Sequence, residues 1–102
     1  PLDIRPFFAA AGLDWQDGAY HRTIVTRNPA AAIRLTGNPP PDYSQKGLYL
    51  KGVEDTAVLY HAGQEAAIAL APVGAGRIGY VADCNAESET SMVILSMIGL
   101  LG

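Results

Sequence analysis

The sequence predicts an α/β or α+β domain: a mixed β-sheet of four to six strands with a short N-terminal helix and an apolar C-terminal helix packed on it. Three observations lead there. Helix signals stand near the two ends, around residues 3–11 and 88–101. Between them, five runs rich in β-branched and apolar residues alternate with Gly, Pro and Asn breaks. Finally, a chain of 102 residues, 49% apolar and 17% charged, has material for one core and not for two. Residues 1–102 are read as a single small domain.

The elements follow in order. Over residues 3–11, Asp3 is the expected cap and Pro6 falls in the first turn, where its missing N–H is no loss. Phe7, Phe8 and Ala11 recur at three- and four-residue spacing as a buried stripe, and Gly12 ends the helix. Trp15 follows in a turn and is expected to join Phe7, Phe8 and Tyr20 in a small aromatic core. Residues 20–26 read as a strand, with Thr23, Ile24, Val25 and Thr26 as a β-branched run. Asn28-Pro29 is a helix-start signal for one or two turns that stop at Gly37.

Three successive prolines in Asn38-Pro39-Pro40-Pro41-Asp42 remove three donors and require an exposed connection. The second half reads as sheet. Residues 47–53 and 56–61 form two β-rich runs; 66–73 and 77–82 form two more, joined by Gly74-Ala75-Gly76, a turn suited to a hairpin.

The last helix is the most informative segment. Asn85 or Ser88 can cap it, and Glu87 and Glu89 lie where a helix dipole favours carboxylates. Met92, Val93, Ile94, Leu95, Met97, Ile98, Leu100 and Leu101 surround its axis almost completely. A helix apolar all round is buried on more than one side. Leaving two leucine-sized faces in water would forgo about 3–6 kcal/mol, comparable to the whole stability of a small domain. Either an oligomer or a covering region of a larger protein must therefore meet Met92, Leu95, Ile98 and Leu101.

Ten acidic against seven basic residues leave a net charge of −3, with no basic field to hold a phosphate backbone, so no nucleic-acid partner is expected. Cys84 is the single cysteine, which excludes an intramolecular disulfide and favours a reducing compartment such as the cytoplasm. A thiolate-rich structural zinc site is excluded with it, and no cofactor or metal is expected. No leader and no apolar stretch near 18 residues is visible, so no membrane partner is expected either. A start at Pro1 instead of Met suggests a processed or excised piece.

The run Val73-Gly74-Ala75-Gly76-Arg77-Ile78-Gly79-Tyr80-Val81-Ala82-Asp83, then Asn85 and Glu87, then an apolar helix, resembles the C-terminal part of class I glutamine-amidotransferase-like domains. It looks most like the trehalose-utilisation-type branch and related uncharacterised fungal proteins. Gly12-Leu13-Asp14-Trp15 and Gly18-Ala19-Tyr20-His21-Arg22-Thr23 are similar to the same group. The resemblance implies a flavodoxin-like half-domain with a central sheet. It carries over no active site, because Cys84 stands between Asp83 and Asn85 and not in a Gly-x-Cys-x-Gly elbow, and His61 precedes Ala62-Gly63 and not x-Glu.

Candidate chemistry is sparse. Gly74-Ala75-Gly76-Arg77-Ile78-Gly79 matches G-x-G-x-x-G, but a dinucleotide site needs a helix to start there, and residues 77–82 read as a strand. Asp83, Asn85, Glu87 and Glu89 place oxygen atoms at every second position after that strand, the ligand type hard cations prefer, or else they cap a helix and solvate a turn. His21 shares a strand face with Thr23 and opposes Arg22. His61 reads as a turn residue, and Cys84 among Asp83, Glu87 and Glu89 as a passive thiol. The expected function is a non-catalytic structural or interaction domain that assembles through the C-terminal helix. The alternative is a ligand-binding or hydrolase-like domain with a site near Asp83, Asn85, Glu87 and His21.

Overall fold

A computed structural model gives the fold and describes residues 5–32, 39–83 and 94. Six elements order the chain: helix α1 (Arg5–Ala10), then strands β1 (Gln16–Arg27), β2 (Asp42–Lys51), β3 (Val58–Ala62), β4 (Glu65–Val73) and β5 (Gly76–Val81). A single 3-10 turn, Asp55–Ala57, precedes β3.

Every strand pairing is antiparallel. β1 pairs with β2 along most of its length and, at Thr26 and Arg27, with His61 and Tyr60 of β3. β3 pairs with β4, and β4 returns to β2 at Leu50↔Ala66. These four strands close on themselves as a small barrel, and β5 is a fifth strand on β4. β5 reaches back toward β2 through a Gly47↔Asp83 bridge and the Leu48 N–H donating to the Ala82 carbonyl at 3.3 Å.

The local reasons are legible. Gly12, with φ +78°, ends α1 in the left-handed region, and the Leu13 N–H donates back to the Phe8 carbonyl at 2.9 Å. The β3–β4 and β4–β5 hairpins close over two residues each, between Ala62↔Glu65 and Val73↔Gly76. Two residues of β1, Gly18 and Ala19, oppose one of β2, Tyr49, a bulge that bends the first part of the long strand. Similar irregularities fall at Leu59 of β3 and Ala67 of β4. They explain why successive residues Leu59 and Tyr60, and Ala67 and Ile68, enter one cluster despite the twofold strand period.

Two cores result. All four barrel strands contribute to the first, in which Val25, Tyr43, Tyr49, Tyr60, Ile68 and Leu70 meet. The second lies under α1, where Phe8 and Trp15 cover Leu50, Val58, Ala66, Ala69 and Ala71. Phe8 packs on Trp15 with ring centroids 5.0 Å apart and edge-on to Tyr80 at 5.9 Å.

Several expectations are overturned. The described chain is 58% strand with one short helix, so it is neither α/β nor α+β with a helix-covered sheet. The sheet is not mixed, and strands that close into a barrel cannot be half of a flavodoxin-like sheet or support the amidotransferase-like α/β description. Each run read as a strand overlaps one, but β1 begins earlier, at Gln16, β2 runs from Asp42 to Lys51 and not over 47–53, and residues 55–57 before β3 form a 3-10 turn. Phe7 is 65% exposed, so the aromatic core uses Phe8, Trp15 and Tyr80 without Phe7 or Tyr20. Residues 29–32 form no helix; residues 33–37 of that expected element lie outside the described residues, as does the expected helix 88–101 apart from Ile94. Among the described residues no helix is long and apolar enough to cross a membrane.

Candidate functional site

Three places on the barrel carry chemistry or exposed apolar surface. The first is the outer face of β1 and β2. Tyr20, Arg22 and Ile24 recur at the strand period and therefore share a face, opposite Leu48, Lys46 and Ser44 of β2 respectively. Tyr20 is 59% and Ile24 57% exposed. The Lys46 ammonium lies 5.7 Å from the Tyr20 ring centre, and the Arg22 guanidinium donates to the Ser44 hydroxyl at 2.9 Å. This face combines apolar area with two cations on a chain whose net charge is negative.

The second place is a row across the sheet at Gly47. His21 pairs with Gly47 on one side, and Asp83 bridges it on the other. Two of the four expected ligand-binding residues are thus brought into one row, about 10 Å apart across two strand spacings. Gly47 is required there: a Cβ would stand 2.3 Å from the Ala82 carbonyl oxygen. His21 sets its ring edge-on to Tyr49, 5.3 Å between centres. The remaining expected ligands, Asn85 and Glu87, lie outside the described residues, as do Met92, Leu95, Ile98 and Leu101.

The third is a cleft of about 430 Å³ at the end of the barrel, lined by Thr26, Asp55, His61, Gln64 and Glu65 among others. His61 Nε2 stands 3.4 Å from Asp55 Oδ1. Asn28 holds the turn that carries Asp55: its side-chain N–H groups donate to the Asp55 carbonyl at 2.8 Å and the Val58 carbonyl at 2.9 Å, while its Oδ1 accepts from the Ala30 N–H at 3.0 Å. Asn28, expected to cap a helix, caps none over residues 29–32 and instead secures the 3-10 turn across the barrel. On the same rim, Glu65 Oε1 accepts from the Ala19 N–H at 3.0 Å, using a donor from the β1 bulge.

Sequence reasoning missed the His61–Asp55 pair, because the spacing matches no motif; the 3-10 turn at Asp55–Ala57 leading into β3 brings the two together. A carboxylate beside an imidazole orients it, but such a pair supplies neither a nucleophile nor an oxyanion site. Among the described residues no group of three or more His, Cys, Asp or Glu could hold a metal ion. The G-x-G-x-x-G run lies on the β4–β5 hairpin and β5, with a strand where a phosphate cradle needs a helix.

Burial pushes the Tyr60 phenol up to about 12, with Tyr43 adding to the shift and Arg27 opposing it. Its hydroxyl donates to the Pro40 carbonyl, and Arg27 donates to the Pro39 carbonyl at 2.8 Å, so the proline-rich connection is tied to the barrel end. Tyr80 is likewise raised, by burial first and then by Asp17, and its hydroxyl donates to the Leu48 carbonyl at 2.7 Å.

In comparison with known proteins, the chain matches no family model, no curated protein and no solved structure, so the reading of its function rests on this geometry.

Proposed function

We propose that the chain is a non-catalytic interaction domain that assembles through the apolar segment carrying Met92, Leu95, Ile98 and Leu101. The observation that carries this reading is the outer face of β1 and β2, where Tyr20 and Ile24 leave apolar surface in solvent beside Arg22 and Lys46. A chain with exposed apolar strand surface and a wholly apolar C-terminal segment has two surfaces that lose free energy in water, at about 25 cal/mol per Å². Association removes both from solvent. Light scattering on a sizing column is expected to return a dimer or larger species for the full chain. Ile98→Lys or Leu101→Lys is expected to return the monomer; a monomeric parent chain, or a lysine variant that stays assembled, overturns the reading.

A second reading is favoured by the Gly47 row. This reading assigns ligand binding to His21 and Asp83, which flank Gly47, together with Asn85 and Glu87, which follow Asp83 in sequence. Asp83→Asn combined with Glu87→Gln then abolishes ligand or divalent-cation binding in a calorimetric titration while unfolding free energy stays within about 0.5 kcal/mol. A loss near 1 kcal/mol with no binding to lose assigns these residues to capping alone.

A further inference from the structure

One row of residues crosses all four barrel strands at the cleft. Thr26 of β1 pairs with His61 of β3, His61 with Ala66 of β4, and Ala66 with Leu50 of β2. Residues directly opposite across an antiparallel ladder share a face, and all four of these line the cleft. Their strand neighbours Val25, Ala62, Ala67 and Tyr49 enter the inner core, so the row faces out of the barrel. We infer that this cleft is a binding site for a small organic cation, an ammonium carried on a short apolar stem. The stem lies on Leu50, Val58 and Ala66, and the ammonium lies beside the carboxylates of Asp55 and Glu65. Neither the assembly reading nor the Gly47 row uses these residues, and the inference rests on neither.

The shape comes from two turns that wall the row. The connection from β2 to β3 supplies Gly52, Val53 and Asp55, and the β3–β4 hairpin supplies Gly63, Gln64 and Glu65. Gly52 has φ +76°, and a Cβ there would stand 2.7 Å from the Asp14 carbonyl oxygen. That wall is therefore pressed against the turn that carries Trp15. Leu50, Val58 and Ala66 are buried and belong to the same core as Trp15, so the bottom of the cleft is apolar and fixed by the fold. A volume of about 430 Å³ suits a small molecule, whose sites span about 300–1,000 Å³.

The charge selects the class of occupant. Asp55 and Glu65 give the cleft two carboxylates, and among the described residues no lysine or arginine lines it. Both acids are held in place. Asp55 Oδ1 lies 3.4 Å from His61 Nε2, and Glu65 Oε1 accepts from the Ala19 N–H at 3.0 Å. An ionised carboxylate offers about four acceptor sites, so Glu65 keeps capacity for a further donor. An anion would meet two like charges here. A bare metal ion is a poor occupant as well, since the described residues contain no group of three or more His, Cys, Asp or Glu that could hold one. An ammonium donates to both acids, with the Thr26 hydroxyl and the Gln64 side-chain carbonyl as further acceptors on the same cleft. Its stem then covers the apolar bottom.

A charge series on the full chain tests this without any substitution. Trp15 is the single tryptophan and packs with the bottom of the cleft, so its emission reports occupancy. The chain is titrated with n-pentylammonium, n-pentanol and n-hexanoate, which are close in size, with fluorescence and calorimetry as readouts. Saturable binding is expected for the ammonium, about tenfold weaker binding for the alcohol, and none for the carboxylate. Asp55→Asn and Glu65→Gln are each expected to weaken the ammonium about threefold, and the double variant about tenfold. Asp17→Asn removes the same charge from a residue that does not line the cleft, and it is expected to leave binding unchanged. No saturable binding of the ammonium, or binding of n-pentanol or n-hexanoate as tight, overturns the proposal. So does an equal loss in Asp17→Asn, or full affinity in the double variant with circular dichroism matching the parent.

Discussion

β4 and β1 are both long antiparallel strands of the same barrel, yet they bury their side chains in opposite ways. In β4, residues Ala66 to Ala71 are all buried. Ala67, Ile68 and Leu70 enter the core shared by the four barrel strands, while Ala66, Ala69 and Ala71 face Phe8 and Trp15. In β1 only Val25 is buried. The difference is cover. β4 has the barrel on one side and α1 with Trp15 on the other, whereas no described element lies on the outer face of β1. Small alanines suit a strand pressed from both sides, since they admit a second layer without enlarging the core. Alternating Tyr20, Arg22 and Ile24 suit a strand that meets a mixed, separately supplied surface.

The largest expected effect tests the doubly covered strand. Ile68→Ala should cost about 2–4 kcal/mol in urea unfolding, because a fully buried side chain leaves a cavity. Ile24→Ala, the same truncation on β1, should cost less than half as much; equal losses would erase the contrast. Next in size is Gly47→Ala. The new methyl would meet backbone at the Ala82 carbonyl and force β2 and β5 apart, for about 1–3 kcal/mol. A neutral Gly47→Ala would mean that β5 does not close onto β2.

A smaller effect is expected at the rim that joins β1 to β4. Glu65→Ala removes the acceptor for the Ala19 N–H at the bulge and should cost about 1 kcal/mol, while Glu65→Gln keeps an acceptor oxygen and should lose less. If both variants lose the same, the carboxylate charge and not the acceptor matters. The mildest test is alkaline pH. Tyr60 has its pKa raised in the folded state, so the unfolded chain ionises first and binds fewer protons between pH 10 and 12. Its contribution is thus fully present below pH 10 and is lost as pH rises toward 12. Tyr60→Phe should flatten that part of the stability profile; an unchanged slope would place the titration elsewhere, with Tyr80 the next candidate.

Much of the local structure was legible. The β-branched run at 20–26, the apolar runs at 66–73 and 77–82 and the glycine turn between them coincide with β1, β4 and β5. Of the candidate site, His21 and Asp83 were singled out from residue type and position after a strand, and they do flank one glycine. Their relation could not be read, because it depends on which strands neighbour β2. The clamp of Glu65 on the β1 bulge was invisible for a like reason, being a contact between distant strands, whereas the Asp55–His61 pair depends on the 3-10 turn before β3, which no sequence signal marked.

By itself the sequence determined roughly where strands run and where the β4–β5 hairpin turns, because these follow from side-chain period and glycine positions within a few residues; it predicted one core, whereas the folded chain divides its buried side chains into two clusters. Closure into an antiparallel barrel was decided only by tertiary structure. β1 pairs with β2 along most of its length and with β3 at Thr26 and Arg27, and Leu50 of β2 meets Ala66 of β4. A pattern of five strands is compatible with several sheets; long-range backbone pairing and the packing of Phe8 and Trp15 on β4 select one of them.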